Sequence, residues 1–135
     1  MSGFVEIRMK SVNVFKMLFN KSKEWENRYV VFQSCKLFVY AGQNYSKPLE
    51  IYEITNQLKI REIRKADING KENVLEITAN NDQPALMLSA ATESNYDKWL
   101  KAFRNLREQF DNQQQIEKEQ QQQEMSSTLK KKISS

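Results

Sequence analysis

The chain has 135 residues, 39% of them apolar, and a formal net charge of +4 with a pI near 9.1. That is room for one domain with a modest core, and no apolar run approaches the roughly 18 to 20 residues needed to cross a bilayer. There is no histidine and only one cysteine, Cys35, which removes Ser/His/Asp and Cys/His nucleophiles, most zinc sites and any internal disulfide.

Other chemistry fares no better. The acidic residues form no catalytic constellation, and three glycines supply no phosphate-cradling loop. The expectation is a non-catalytic protein without cofactor, metal or small-molecule substrate. A lone thiol fits a reducing compartment. Met1-Ser2-Gly3-Phe4 lacks the basic start and apolar core of a secretory signal, and Ser2 breaks the myristoylation pattern. A cytoplasmic location follows as the expectation.

From Gly3 to about Ser89 the dominant period is two, the repeat of a strand with two distinct faces. The first strand is Gly3 to Lys10, where Ile7 and Met9 oppose Arg8 and Lys10. The competing assignment is Val12 to Met17, with Phe15 and Met17 in the core and residues 3–10 an extension. Trp25 to Gln33 is the second strand, and Ser34-Cys35 turns it into Lys36 to Tyr40, a tight hairpin. Residues 41–48 are loop. Leu49 to Ile54 alternates, with Leu49, Ile51 and Ile54 expected inward. Leu58 to Ile63 follows, then an Asn69-Gly70 turn, Val74 to Ala79, a loop through Pro84, and Ala85 to Ser89.

The period then changes. Tyr96, Trp99, Leu100, Phe103, Leu106 and Phe110 recur every three or four residues, which predicts one amphipathic helix from about Thr92 to Phe110. Thr92 and Ser94 are both suited to cap it. Such a stripe needs an apolar surface to bury against, and the end of the sheet is the only large one available. Past Phe110 the composition becomes Gln, Glu, Asn, Lys and Ser, without the apolar a and d repeat of a coiled coil. The division expected is a domain over 1–110 and a glutamine-, lysine- and serine-rich tail over 111–135, disordered or a helix extension, with disorder favoured from Met125 onward.

Seven strands and a capping helix with a central tryptophan resemble the pleckstrin-homology (PH) family. Trp25-Glu26-Asn27-Arg28-Tyr29-Val30-Val31-Phe32 is similar to that family's second strand, and Leu37-Phe38-Val39-Tyr40 to its third. Leu88 to Glu93 with Asp97-Lys98-Trp99-Leu100 resembles its last strand, capping turn and helix tryptophan. The fold implied is mainly β: a seven-stranded antiparallel barrel or sandwich capped by one C-terminal amphipathic helix.

The resemblance also implies a site. Lipid-binding members surround an inositol phosphate with a first-strand base and a basic-x-Arg triplet on the second strand. Arg28 matches the triplet's arginine, and Arg8 or Lys10 supplies the first-strand charge. Glu26 replaces the triplet's first base and Val39 replaces a tyrosine whose hydroxyl often bonds phosphate; both departures argue against tight headgroup binding. Between the first two strands, residues 11–23 carry six apolar residues, three lysines and no acid. Lys16, Lys21 and Lys23 would meet anionic headgroups, while Phe15, Leu18 and Phe19 enter the interface or contact a partner.

Two partners follow from this reading. One is an anionic, phosphoinositide-containing membrane, with the chain as a peripheral membrane adaptor. The other is a protein, in a cytoskeletal or ciliary complex. Nucleic acid is not expected, because Lys59, Arg61, Arg64 and Lys65 lack the charge density and aromatic interleaving that binding needs.

Overall fold

A computed structural model describes residues 1–9, 25–65 and 70–133, with side chains up to Gln122 in the final helix. It contains strands β1 (Ser2–Met9), β2 (Glu26–Gln33), β3 (Lys36–Tyr40), β4 (Glu50–Glu53), β5 (Lys59–Lys65), β6 (Glu72–Thr78) and β7 (Leu86–Ser89), then helix α1 (Glu93–Ile133). The strands make one antiparallel sheet in the order β4-β3-β2-β1-β7-β6-β5. β1 sits at its centre, paired with β2 on one side and β7 on the other. The first strand is therefore the N-terminal segment; residues 12–17, the competing assignment, lie outside the described residues.

Local chemistry explains the turns. Ser34 and Cys35 both adopt positive φ, 53° and 59°, the twist a two-residue hairpin requires. Gly70, at φ 60°, enters β6 in the same region, which costs least for glycine. Arg64 has φ 59° where the β5–β6 register slips, a bulge that bends the edge strand. The exposed Arg61 and Arg64 are not free charges: they lie 3.6 Å from Glu76 and Glu62 respectively.

Alternation assigns each strand a concave and a convex side. Val5, Ile7, Val30, Leu37, Val39, Leu75, Ile77, Leu86 and Leu88 are buried on the concave side. In β4 the phase differs from expectation. Leu49 and Ile51 are 56% and 45% exposed, while Tyr52 and Ile54 are buried. The cause is register: Tyr52 lies opposite the buried Leu37, and Ile51 opposite the half-buried Phe38. An alternating run permits either phase, and the neighbouring strand chooses.

The sheet curls until β4 reaches the end of β6. Asn80 donates from Nδ2 to the Glu53 carbonyl at 2.6 Å, and the Thr55 amide donates to the Ala79 carbonyl at 3.1 Å. Helix α1 closes one end of the half-barrel. The Asn95 amide donates to Thr92 Oγ1 at 3.1 Å, so Thr92 is the cap. Tyr96, Trp99, Leu100, Phe103 and Leu106 are buried against the strands, and the Phe103 ring lies 5.1 Å from Phe32. Arg107 pins the helix by donating to the carbonyls of Asn56 and Leu58 at 2.7 and 2.8 Å.

Beyond Phe110 helix α1 continues to Ile133. Residues 111–122 are all exposed. No described helix is long and apolar enough to cross a membrane.

Candidate functional site

At the end of the sheet away from α1's aromatic stripe lies a cavity of about 350 Å³. Its wall comes from the last residues of β1, the first of β2, Val39 of β3 and the start of β4. The strands meet there because β1 and β2 are antiparallel: Ile7 faces Glu26, and Val5 faces Arg28. Glu26, Arg28 and Val30 share one side of β2, so the two charged residues continue the concave side of the core to its mouth.

The charges at this mouth cancel. Arg28 donates from one guanidinium nitrogen to Glu26 Oε2 at 2.8 Å and from the other to its neighbour's carbonyl, Asn27 O, at 2.9 Å. Glu50, also in the wall, accepts the Tyr52 hydroxyl at 2.5 Å. Burial first, then the bond and charge of Glu50, push the Tyr52 phenol above its usual 10.0, so it stays a neutral donor at any physiological pH. Two arginines and two carboxylates line the cavity, a formal charge of zero. An anion entering here must compete with Glu26 for Arg28.

Arg8 borders the same cavity but stands differently. It pairs with Met87, whereas its neighbours Ile7 and Met9 pair with the buried Leu88 and Leu86. The pleat thus assigns Met9 to the concave side with Arg28, and Arg8 to the convex side at the rim. Arg8 is only 9% exposed and has no ion pair among the described residues. Of the expected site residues, the structure brings Arg8 and Arg28 to one cavity. Lys10, Phe15, Lys16, Leu18, Phe19, Lys21 and Lys23 lie outside the described residues. The chain enters that segment after Met9 and returns at Trp25, both beside the cavity.

Sequence reasoning missed Glu50, Tyr52 and Met9. Val39 brings no hydroxyl to the cavity wall, but Tyr52 on the next strand does, a residue hidden by the wrong phase for β4. The i, i+2 spacing of Glu50 and Tyr52 signalled that they share a side, but not which side. Cys35 is exposed in its turn, remote from the cavity wall.

A family model described as PH domain matches residues 1–108. Among solved structures, the carboxyl-terminal PH domain of pleckstrin is similar, with a TM-score of 0.60 at 18% identity over 79% of this chain and 95% of that one. The same domain in complex with D-myo-Ins(1,2,3,4,5)P5 gives 0.57 at 19% identity over 77% and 93%. The PH domain of human KIAA0053 protein gives 0.59 at 21% identity over 79% and 86%. No curated protein sequence matches the chain.

Proposed function

The chain belongs to the PH-domain family, whose members are non-catalytic modules that bind phosphoinositides or proteins, and from that premise we propose that it docks on anionic, phosphoinositide-containing membrane. It acts as a cytoplasmic, peripheral adaptor of low headgroup affinity. The observation that carries this reading is the cavity of about 350 Å³ bordered by Arg8 and Arg28, from whose edge the lysine-bearing segment 10–24 departs and returns. The bound inositol phosphate in the pleckstrin domain is a property of that protein; here it lends support by fold alone.

Charge sets the expected strength. With Arg28 held by Glu26, the cavity offers little net attraction to a polyphosphate, and most of the attraction falls to Lys10, Lys16, Lys21 and Lys23. Such lysines contribute about 1 kcal/mol each near an anionic surface. Binding should require anionic lipid and fade as salt rises, since exposed charges are screened over about 10 Å at 0.1 M. Cosedimentation with liposomes of phosphatidylcholine alone, with phosphatidylserine, and with phosphoinositide tests this. Lys21→Glu with Lys23→Glu should abolish pelleting, and salt-independent binding to neutral liposomes would sink the reading.

A protein partner is the second reading, favoured by the cancelled charges of Glu26, Arg28 and Glu50. Under it, liposomes of every composition leave the protein in the supernatant at low salt.

A further inference from the structure

At the opposite end of β1 a second depression of about 550 Å³ lies between the N-terminal residues and α1. Its β1 wall is Phe4, 49% exposed and edge-on to Tyr29 at a centroid distance of 5.1 Å. Its helical wall is Asn95, Lys98, Ala102 and Asn105, with Lys101 beside them. Those spacings of three and four put one stripe of α1 along the groove, and Ala102 leaves a gap in the middle of it. Neither lysine has an ion pair among the described residues, and no carboxylate lines the groove. The groove thus sets the Phe4 ring against a helical wall whose only charged side chains are the two lysines.

The same stripe continues down the helix. Adding alternate steps of four and three to Asn105 reaches Gln109, Asn112, Ile116 and Glu119. Ile116 is 52% exposed, the one large apolar side chain exposed on the described part of α1. Glu119 is exposed one turn beyond it. The projecting half of α1 therefore presents an apolar knob and an acid on the line where its domain-bound half presents an apolar gap and two bases. One straight helix cannot fold onto itself: Lys98 and Glu119 stand roughly 30 Å apart at 1.5 Å per residue. The complement has to come from another chain.

We propose that two copies pair α1 against α1, antiparallel about a two-fold axis near Gln109. Each Ile116 enters the groove between Phe4 and Ala102 of the other copy, and each Glu119 meets the other's Lys98 and Lys101. The two-fold makes every contact occur twice. The seam is too polar for an unaided coiled coil; the groove supplies the apolar half of each contact. This gives the projecting helix, otherwise polar over its residues 111–122, something to bridge. The mouth cavity lies at the far end of β1, about 20 Å away at 3.3 Å per residue, so a dimer leaves both mouths open.

Sedimentation velocity of the whole chain should show a concentration-dependent monomer–dimer equilibrium below about 1 mM, weakening with salt. Ile116→Asp should lower the association constant at least about tenfold, since it puts a charge at the one apolar knob among the described residues of the projecting helix. A chain with Lys98→Glu and Lys101→Glu should be monomeric, as should a separate chain with Glu119→Lys and Gln115→Lys. Mixing these two should restore a heterodimer, because each groove then faces a tail of opposite charge. All the substituted positions are exposed, and circular dichroism confirms that each variant folds. A wild-type chain monomeric up to about 1 mM, a dimer indifferent to these substitutions, or a charge-swapped pair that fails to associate would each overturn the proposal.

Discussion

The two ends of the half-barrel are built from the same strands and filled in opposite ways. At the helix end, Trp99 and Phe103 stack at 6.1 Å, Phe103 reaches Phe32, and the gap between the sheet's two arms is packed with rings. At the mouth the gap is lined by Arg28, Glu26, Glu50 and Tyr52, which satisfy one another instead of filling the space. Packing holds one end shut and polar pairing holds the other open. The difference teaches where this protein keeps its stability and where it leaves an open, polar-lined cavity: an apolar interior tolerates little change, whereas paired surface charges are worth little to the fold.

The sharpest way to break the contrast is at the helix end. Trp99→Ala removes the largest ring of the buried stripe and should cost about 3 to 5 kcal/mol, enough to unfold much of a small domain. Thermal or urea unfolding measures it, and a near-normal melting temperature would contradict the packing described. At the mouth, Glu26→Lys should leave stability nearly intact while releasing Arg28 and adding a base. Liposome binding should rise about tenfold at low salt, the worth of roughly 1.4 kcal/mol. If that variant folds and ignores anionic liposomes, the membrane reading fails and the mouth serves a protein.

Tyr52 offers a finer probe. Its folded pKa is raised above the unfolded value near 10, chiefly by burial and then by Glu50. As pH climbs past 10 the unfolded chain loses this proton while the folded chain keeps it. The contribution is thus complete below pH 10 and declines above it. Tyr52→Phe should flatten part of that decline in unfolding experiments; Tyr96, raised by burial and then by Glu62, leaves a residue of the same sign. The smallest effect belongs to the projecting helix. Ending the chain after Gln115 should change monomer stability by no more than a few tenths of a kcal/mol, because residues 116–122 are all exposed and the Arg107–Asp111 pair is kept. The same truncation removes Ile116 and should abolish self-association, so one protein tests both statements at dilute and high concentration.

Much of this architecture follows from periodicity alone. A repeat of two gave seven strands within a residue or two of their observed limits, and the switch to 3.6 marked the start of the helix and its buried stripe, with the choice between Thr92 and Ser94 as cap settled by the structure. Residues two apart on a strand share a side, which set Glu26 beside Arg28 on β2; that the two pair is shown by the structure. Period, however, carries no phase. Whether Ile51 or Tyr52 faces the core was decided by β3 through register, and with it the hydroxyl and carboxylate that line the mouth. In β1 the expected phase held, with Ile7 and Met9 on one side and Arg8 on the other, and pairing with β7 fixed the side that faces the core. The groove at Phe4 needed still more, because it joins residues about a hundred positions apart. Local sequence sets which torsions repeat; the curl of the sheet and the seat of the helix decide which distant side chains meet, and those depend on the whole packed core at once.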